Sequence, residues 1–198
     1  MIVQGSEQWF ALRLGRVTSS RVADVLSKGK GLTRNAYRDE LVAERLSGQP
    51  CAPTFESEAM KRGTAEEPFS RSAYEAHAGV LVDECAFVEH PRLFAGASPD
   101  GLVGLDGAIE MKNPNSSTHC GYLEGGVVPS KYVPQMMWLM ACSGRAWVDF
   151  VSFDSRLPEP ARLFVKRLPR DDAWIKATEA EVEKFLAEVD AIVARYTL

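Results

Sequence analysis

Ser98-Pro99-Asp100-Gly101, the connection LVGLDGA (102–108) and Ile109-Glu110-Met111-Lys112-Asn113 decide how this chain is read. Both flanking segments are short and rich in β-forming or small residues, and strand side chains alternate faces, so Glu110 and Lys112 point one way and Met111 the other. Gly101, Gly104 and Gly107 let the chain double back, and a hairpin there brings Asp100, at the end of the first strand, beside Glu110. Two converging carboxylates repel each other unless a cation lies between them. Hard oxygen donors of this kind suit Mg²⁺ or Mn²⁺. Lys112 can then stabilise charge building on a phosphate or help position an attacking water. Taken singly, Pro-Asp-Gly is also an ordinary turn and Glu-x-Lys an ordinary surface pair. The apolar setting of Glu110, and a preceding helix that bears Glu67, favour the chemical reading.

Outward from this hairpin the chain reads as α/β, a mixed central β-sheet flanked by α-helices. Trp9, Leu12 and Leu14 mark a short helix ended by Gly15, and Val22, Val25 and Leu26 mark a second behind Thr18-Ser19-Ser20. KGKGLTRN (28–35) reads as a loop. Residues 35–47 form a helix with Asn35 as its cap and Gly48 as its stop. QPCAPTFE (49–56) is a Pro-rich connection. A helical pattern over 56–78 contains Gly63 and Pro68, so a kink or restart is expected there. Strands follow in 80–90, 93–104 and 107–113. An apolar helix spans 131–142, AWVDFVSFD (146–154) alternates as a half-buried strand, and ARLFVKRL (161–168) is a further strand. Trp174, Thr178, Val182, Phe185, Val189, Ile192, Val193 and Tyr196 stripe a last helix. The expected organisation is one domain over 1–198, with N-terminal helices (7–78), a sheet core (80–168) and a C-terminal helix (171–196).

The 198 residues suffice to bury a core without staples. With 45% apolar and 25% charged residues, composition excludes a disordered chain, a collagen-like chain and a coiled-coil rod. No stretch approaches the roughly 20 apolar residues of a membrane span. MIVQGSEQWF lacks a basic start followed by an apolar run, so no signal peptide and a cytoplasmic location are expected. The net charge of −4 argues against indiscriminate nucleic-acid binding, yet residues 1–50 carry +3 and residues 171–198 carry −4. Any basic face is therefore expected at the N-terminal end. Cys51, Cys85, Cys120 and Cys142 show no CxxC spacing, which argues against zinc, iron–sulfur and a disulfide framework. His77, His90 and His119 lack metal-site spacing, and His119 reads as a loop residue.

Taken together in order, these motifs resemble the PD-(D/E)xK nuclease superfamily, and within it the lambda exonuclease branch of viral recombinase-type 5′→3′ exonucleases. The matching pieces are Trp9 with Leu12-Arg13-Leu14-Gly15 and Thr18-Ser19-Ser20, Arg62-Gly63 followed by Glu67, the hairpin with Glu110-Met111-Lys112-Asn113-Pro114, and Tyr132 with Gln135. They span about residues 7–153. The resemblance implies a restriction-endonuclease-like nuclease fold. It implies two Mg²⁺ ions, with Mn²⁺ able to substitute, held by Asp100 as a bridge, Glu110, the Met111 carbonyl and Glu67. Glu66 is a rival to Glu67. It makes Lys112 the catalytic lysine, and Arg13, Ser20, Ser98 and Gln135 the pocket for a 5′-terminal phosphate. On residue type alone, those four equally suit a surface ion pair, a helix cap, a turn and a buried amide partner.

The activity implied is processive digestion of one strand of linear double-stranded DNA from ends that are preferably 5′-phosphorylated. It would release mononucleotides and leave single strands for phage-type recombination. The partners implied are a homotrimeric ring of this chain and a single-strand annealing protein. In the ring the N-terminal basic cluster would line the entrance, with the acidic last helix outside. A restriction-like or junction endonuclease of the same fold keeps the chemistry and changes the task. A non-catalytic DNA-binding or annealing module keeps the fold without the reaction, which intact Asp100, Glu110 and Lys112 argue against.

Overall fold

The computed structural model describes residues 2–28, 31–51 and 58–197. The expected connection at 49–56 falls mostly outside them. The N-terminal part begins with α1 (Glu7–Arg13), where the Ser6 hydroxyl accepts from the Trp9 N–H as a cap, then β1 (Val17–Thr18) and α2 (Val22–Val25). Helix α3 (Leu32–Ser47) starts three residues earlier than its sequence signal. Gly31, at φ 73°, reverses the chain, and Asn35 lies inside the helix with its N–H donating to Gly31 O at 2.8 Å. The extra turn carries Arg34, which makes a two-pronged ion pair (2.7 and 2.8 Å) with Glu188 on the last helix, α7 (Asp172–Thr197).

Helix α4 (Glu58–Ala78) runs through Gly63 and Pro68 without the expected restart. Proline removes one ladder bond, but tertiary contacts anchor both halves. Arg62 donates to the carbonyls of Asn113 and Pro114, and Tyr74 is buried with its hydroxyl on Asp149 at 2.8 Å.

The strands form two sheets rather than the single central one expected. β4 (Ala95–Ala97) pairs parallel with β1 and antiparallel with β3 (Val88–Glu89). The second sheet runs β2 (Val82–Asp83), β5 (Gly101–Val103), β6 (Gly107–Lys112), β7 (Trp147–Phe153) and β8 (Leu163–Pro169) in that order. It is mixed, since only β6 and β7 are parallel. The cause of the split lies in the opening sequence motif. The stretch 93–104 reads as one strand but contains Pro99, which has no N–H for a ladder. The chain therefore leaves one sheet at Ala97 and enters the other at Gly101, with Ser98-Pro99-Asp100 at the crossing. Helices α5 (Ser116–Gly125) and α6 (Val133–Ser143) follow β6 and lead to β7.

Strand β7 is buried on both faces, not half-buried, because β6 and β8 flank it and helices cover it. Its polar residues are bonded accordingly. Asp149 accepts from Tyr74 and from Arg167, and the Ser152 hydroxyl meets His119 Nδ1 at 2.7 Å. His119 is thus a fully buried α5 residue rather than a loop residue. Along α7, Thr178, Val182, Phe185 and Val189 are buried as the stripe implies, while Tyr196 stays exposed.

The acidic last helix packs on α3 and takes part of the N-terminal positive charge. Arg34 pairs with Glu188 and Arg45 with Asp190, while Arg16, Arg21 and Arg38 pair with Glu89, Asp24 and Asp39. Cys51, Cys85, Cys120 and Cys142 are free thiols. Among the described residues no helix is long and apolar enough to cross a membrane.

The β6–β7 pairing sets a steric test. A Cβ on Gly107 would lie 2.1 Å from the Trp147 ring, whereas one on Gly121 inside α5 meets nothing within 4 Å. Gly107→Ala is expected to lower stability by about 1–3 kcal/mol through overpacking. Gly121→Ala is expected to raise it by about 0.5–1 kcal/mol through helix propensity. Urea unfolding of both variants measures the two signs.

Candidate active site

The crossing between sheets places Asp100 against β6. Its Oδ2 accepts the Met111 N–H at 2.6 Å, and Gly101 stands opposite Ile109 in the hairpin register. A Cβ at Gly101 would lie 2.1 Å from a Val82 methyl, so glycine is needed for the close approach of β2. At the tip of the turn Gly104 has φ 51°.

Glu110 is 1% exposed on a strand whose residues before it, Gly107, Ala108 and Ile109, are apolar or small and buried. Its Oε1 takes the Lys112 ammonium, and it also accepts the Gln135 amide of α6 at 2.6 Å. Its Oε2 is buried and has no partner. Lys112 Nζ lies 5.2 Å from the centre of the Tyr132 ring. Glu67, on α4, shares a cavity of about 270 Å³ with Asp100, Arg71, Gln4, Thr64 and Cys85. Two ties fix α4 against the end of β6: Arg62 on the Asn113 and Pro114 carbonyls, and the Asn113 amide on Gly63 O at 2.9 Å. The Arg62-Gly63 pair therefore sets where Glu67 stands. Glu66 faces elsewhere, its Oε1 accepting from the Ser155 hydroxyl at 2.7 Å.

The electrostatics are those of a site short of positive charge. Burial raises the carboxyls of Asp100 and Glu110 above the usual range, with Lys112 opposing in both. Burial raises Glu67 as well, and the charge of Asp100 adds to it. Lys112 is desolvated too, but Glu110 and Asp100 outweigh this and raise its ammonium. The Lys112 ammonium and the Arg71 guanidinium thus face three carboxylates.

Sequence reasoning assigned the metal to Asp100, Glu110, Glu67 and the Met111 carbonyl. Among the described residues no group of three or more His, Cys, Asp or Glu side chains is closed enough to hold an ion in this conformation. Asp100 is turned to Met111 N and one oxygen of Glu110 to Lys112. The donors nevertheless fit a hard divalent cation, because the unpartnered Oε2 of Glu110 is a buried acceptor that needs a charge.

The four residues assigned to a terminal phosphate are partly brought together. Arg13 Nη1 donates to Ser98 Oγ at 3.0 Å, and Ser20 lines the same 190 Å³ cavity as Arg13. Ser20 meets the Thr18 hydroxyl at 3.4 Å. Gln135 is not with them; it stands on Glu110. Arg13 is desolvated, which holds its guanidinium below the usual value although the charge of Glu44 opposes this, and among the described residues no carboxylate pairs with it. Its nearest candidates are occupied: Glu44 accepts the N–H groups of Gly15 and Cys51, and Glu40 pairs with Arg21.

Known proteins share this fold. The model of the YqaJ-like viral recombinase domain matches residues 8–146. The chain belongs to that family. An alkaline exonuclease (LHK-Exo) from Laribacter hongkongensis is 45% identical over 96% of both chains, with a TM-score of 0.90. LHK-Exo in complex with dAMP matches equally well. A phage related exonuclease from Haemophilus somnus 129PT shares the fold, with a TM-score of 0.70 over 94% of this chain and 98% of that one at 15% identity. No curated protein matches.

Sequence reasoning missed Arg71, Gln4 and the partner of Gln135. Arg71 was within reach, since it lies four residues after Glu67 and shares its helix face. The Gln135–Glu110 bond had no local signal, because it joins α6 to β6.

If Glu110 Oε2 is a cation ligand, Mg²⁺ at about a hundredfold over its Kd should stabilise the fold by about 2.7 kcal/mol. That is a rise of about 5–10 °C in Tm. Differential scanning fluorimetry should show it in the wild type and lose it in Glu110→Gln and Asp100→Asn; equal shifts in all three would contradict the assignment.

Proposed function

We propose that this chain is a DNA nuclease of the PD-(D/E)xK type, and more narrowly a 5′→3′ exonuclease of the lambda exonuclease branch. In this reading it digests one strand of linear duplex DNA and leaves the other single-stranded. The observation that carries the nuclease reading is the buried Glu110 with one oxygen on Lys112 and the other unpartnered, beside Asp100 and Glu67. The 45% identity to an alkaline exonuclease supports it.

Asp100, Glu110, Glu67 and the Met111 carbonyl would hold divalent cations, Mg²⁺ or Mn²⁺. When bound, such a cation supplies charge that offsets the phosphodiester oxygens and acidifies a water. The chain's own residues do the rest. Lys112, desolvated and fixed by Glu110, places an ammonium where negative charge builds on the scissile phosphate. Gln135 holds the Glu110 carboxylate in one orientation. Met111 N fixes Asp100 from the other side.

The anchor for a terminal phosphate rests on Arg13, a desolvated guanidinium with a hydroxyl contact and no carboxylate. A buried cation left without an anion is poised to take one. Ser98 and Asp100 are two residues apart, at most about 7 Å of chain. An end phosphate bound near Ser98 would thus lie about one nucleotide from the cleavage centre, which supports mononucleotide products. The relative crystallised with dAMP is consistent with that product class. The family resemblance further supports a homotrimeric ring and a single-strand annealing partner, and a monomer by light scattering under active conditions would contradict the ring.

Digestion of linear duplex with strand-specific labels tests the function. The expected result is Mg²⁺-dependent loss of label from 5′ ends as mononucleotides, faster from 5′-phosphate than from 5′-hydroxyl. Internal cutting of covalently closed circles would favour an endonuclease, and no digestion with either Mg²⁺ or Mn²⁺ would favour a DNA-binding module. Arg13→Ala is expected to lose the 5′-phosphate preference. Lys112→Ala is expected to abolish digestion while leaving DNA binding, read by electrophoretic shift.

A further inference from the structure

Ser98 Oγ receives two N–H groups, from Trp9 Nε1 at 2.9 Å and from Arg13 Nη1 at 3.0 Å. A serine hydroxyl has two acceptor lone pairs and one O–H. With both lone pairs occupied, the hydroxyl hydrogen is all that remains, and among the described residues nothing accepts it. The group has become an obligate donor.

Trp9 is fitted to impose this. It lies one helical turn before Arg13 on α1, so the two side chains share a face. The Arg13 guanidinium stands 4.3 Å over the Trp9 ring. The Trp9 N–H is shared with the Ala86 carbonyl at 3.0 Å, which fixes the indole against the segment before β3. One side chain therefore supports the guanidinium from below and holds the serine oxygen from the side.

We infer that Trp9 is a positioning residue that gives the Arg13–Ser98 site its preference for a terminal phosphate over a terminal hydroxyl. The inference rests on the anchor reading of Arg13. A phosphate offers only acceptor oxygens, which match a cation and a donor-only hydroxyl. A 5′-hydroxyl carries no charge, and against this site it can serve only as an acceptor. Without the indole N–H, the Ser98 hydroxyl is free to turn and accept, and the discrimination weakens.

The test is equilibrium binding of short blunt duplexes bearing 5′-phosphate or 5′-hydroxyl ends, in EDTA so that no cleavage occurs, followed by fluorescence anisotropy. Trp9→Phe keeps an aromatic ring beneath Arg13 and removes the N–H together with the rest of the indole. The expected result is a wild-type preference for 5′-phosphate that falls about tenfold in the variant, the scale of one charge-assisted hydrogen bond. General loss of structure would weaken binding of the 5′-hydroxyl duplex as well, whereas loss of the N–H alone leaves that affinity at or above the wild-type level. If Trp9→Phe does not fold, incorporating β-(3-benzothienyl)alanine at position 9, which replaces the N–H by sulfur at nearly the same shape, gives the same comparison. A ratio within twofold of the wild type in a folded variant overturns the role of Trp9. A wild type indifferent to the end group instead overturns the anchor itself, and this inference with it.

Discussion

The Met111 N–H donates to Asp100 Oδ2 at 2.6 Å, and the rest of the site is arranged about that bond. It ties the crossing between the two sheets to the centre of the larger one. Pro99 ends one strand by lacking an N–H, Gly101 begins the next where no side chain fits, and Asp100 between them is turned onto β6. The bond keeps Asp100 next to Glu110 although the two carboxylates repel. Lys112, two residues along the same strand, offsets the charge of Glu110, which is buried at 1% exposure.

A second set of ties brings helices to this centre. Arg62 and Asn113 lock α4 to the end of β6, so that Glu67 faces the cavity shared with Asp100 while Glu66 is held by Ser155. Gln135 brings α6 to the same carboxylate that Lys112 holds. On the other side of Pro99, Ser98 joins Trp9 and Arg13 of α1. Three consecutive residues therefore serve two places: Ser98 the contact with Trp9 and Arg13, Asp100 the carboxylate centre, with Pro99 fixing the spacing. In the proposed reading this spacing links recognition of a DNA end to the bond that is cut.

Much of this was legible in the chain itself. The alternation of Glu110 and Lys112 on β6, the turn glycines and the hairpin follow from period-two geometry and turn chemistry, which are local. The stripe on α7 likewise follows from its own sequence. What was not legible depended on distant partners. Asn35 looked like a cap, but α3 gains a further turn because Arg34 meets Glu188 across the fold. Pro68 looked like a break, but contacts on both sides of it hold α4 together. β7 read as half-buried, yet Tyr74 and Arg167 bond Asp149 on one face and His119 bonds Ser152 on the other, so both faces are covered. Any basic face was expected at the N-terminal end, but ion pairs with α7 and with nearer neighbours hold Arg16, Arg21, Arg34, Arg38 and Arg45, while half-buried Arg13 meets the Ser98 hydroxyl.

The central claim is that the unpartnered oxygen of Glu110 is a cation ligand shared with Asp100. The most direct measurement is the anomalous scattering of Mn²⁺ in crystals grown with that ion. The account predicts a peak within bonding distance of Glu110 Oε2, with Asp100 released from Met111 N toward the same ion. A Mn²⁺ site elsewhere, with Glu110 Oε2 still unpartnered in the loaded crystal, would contradict it.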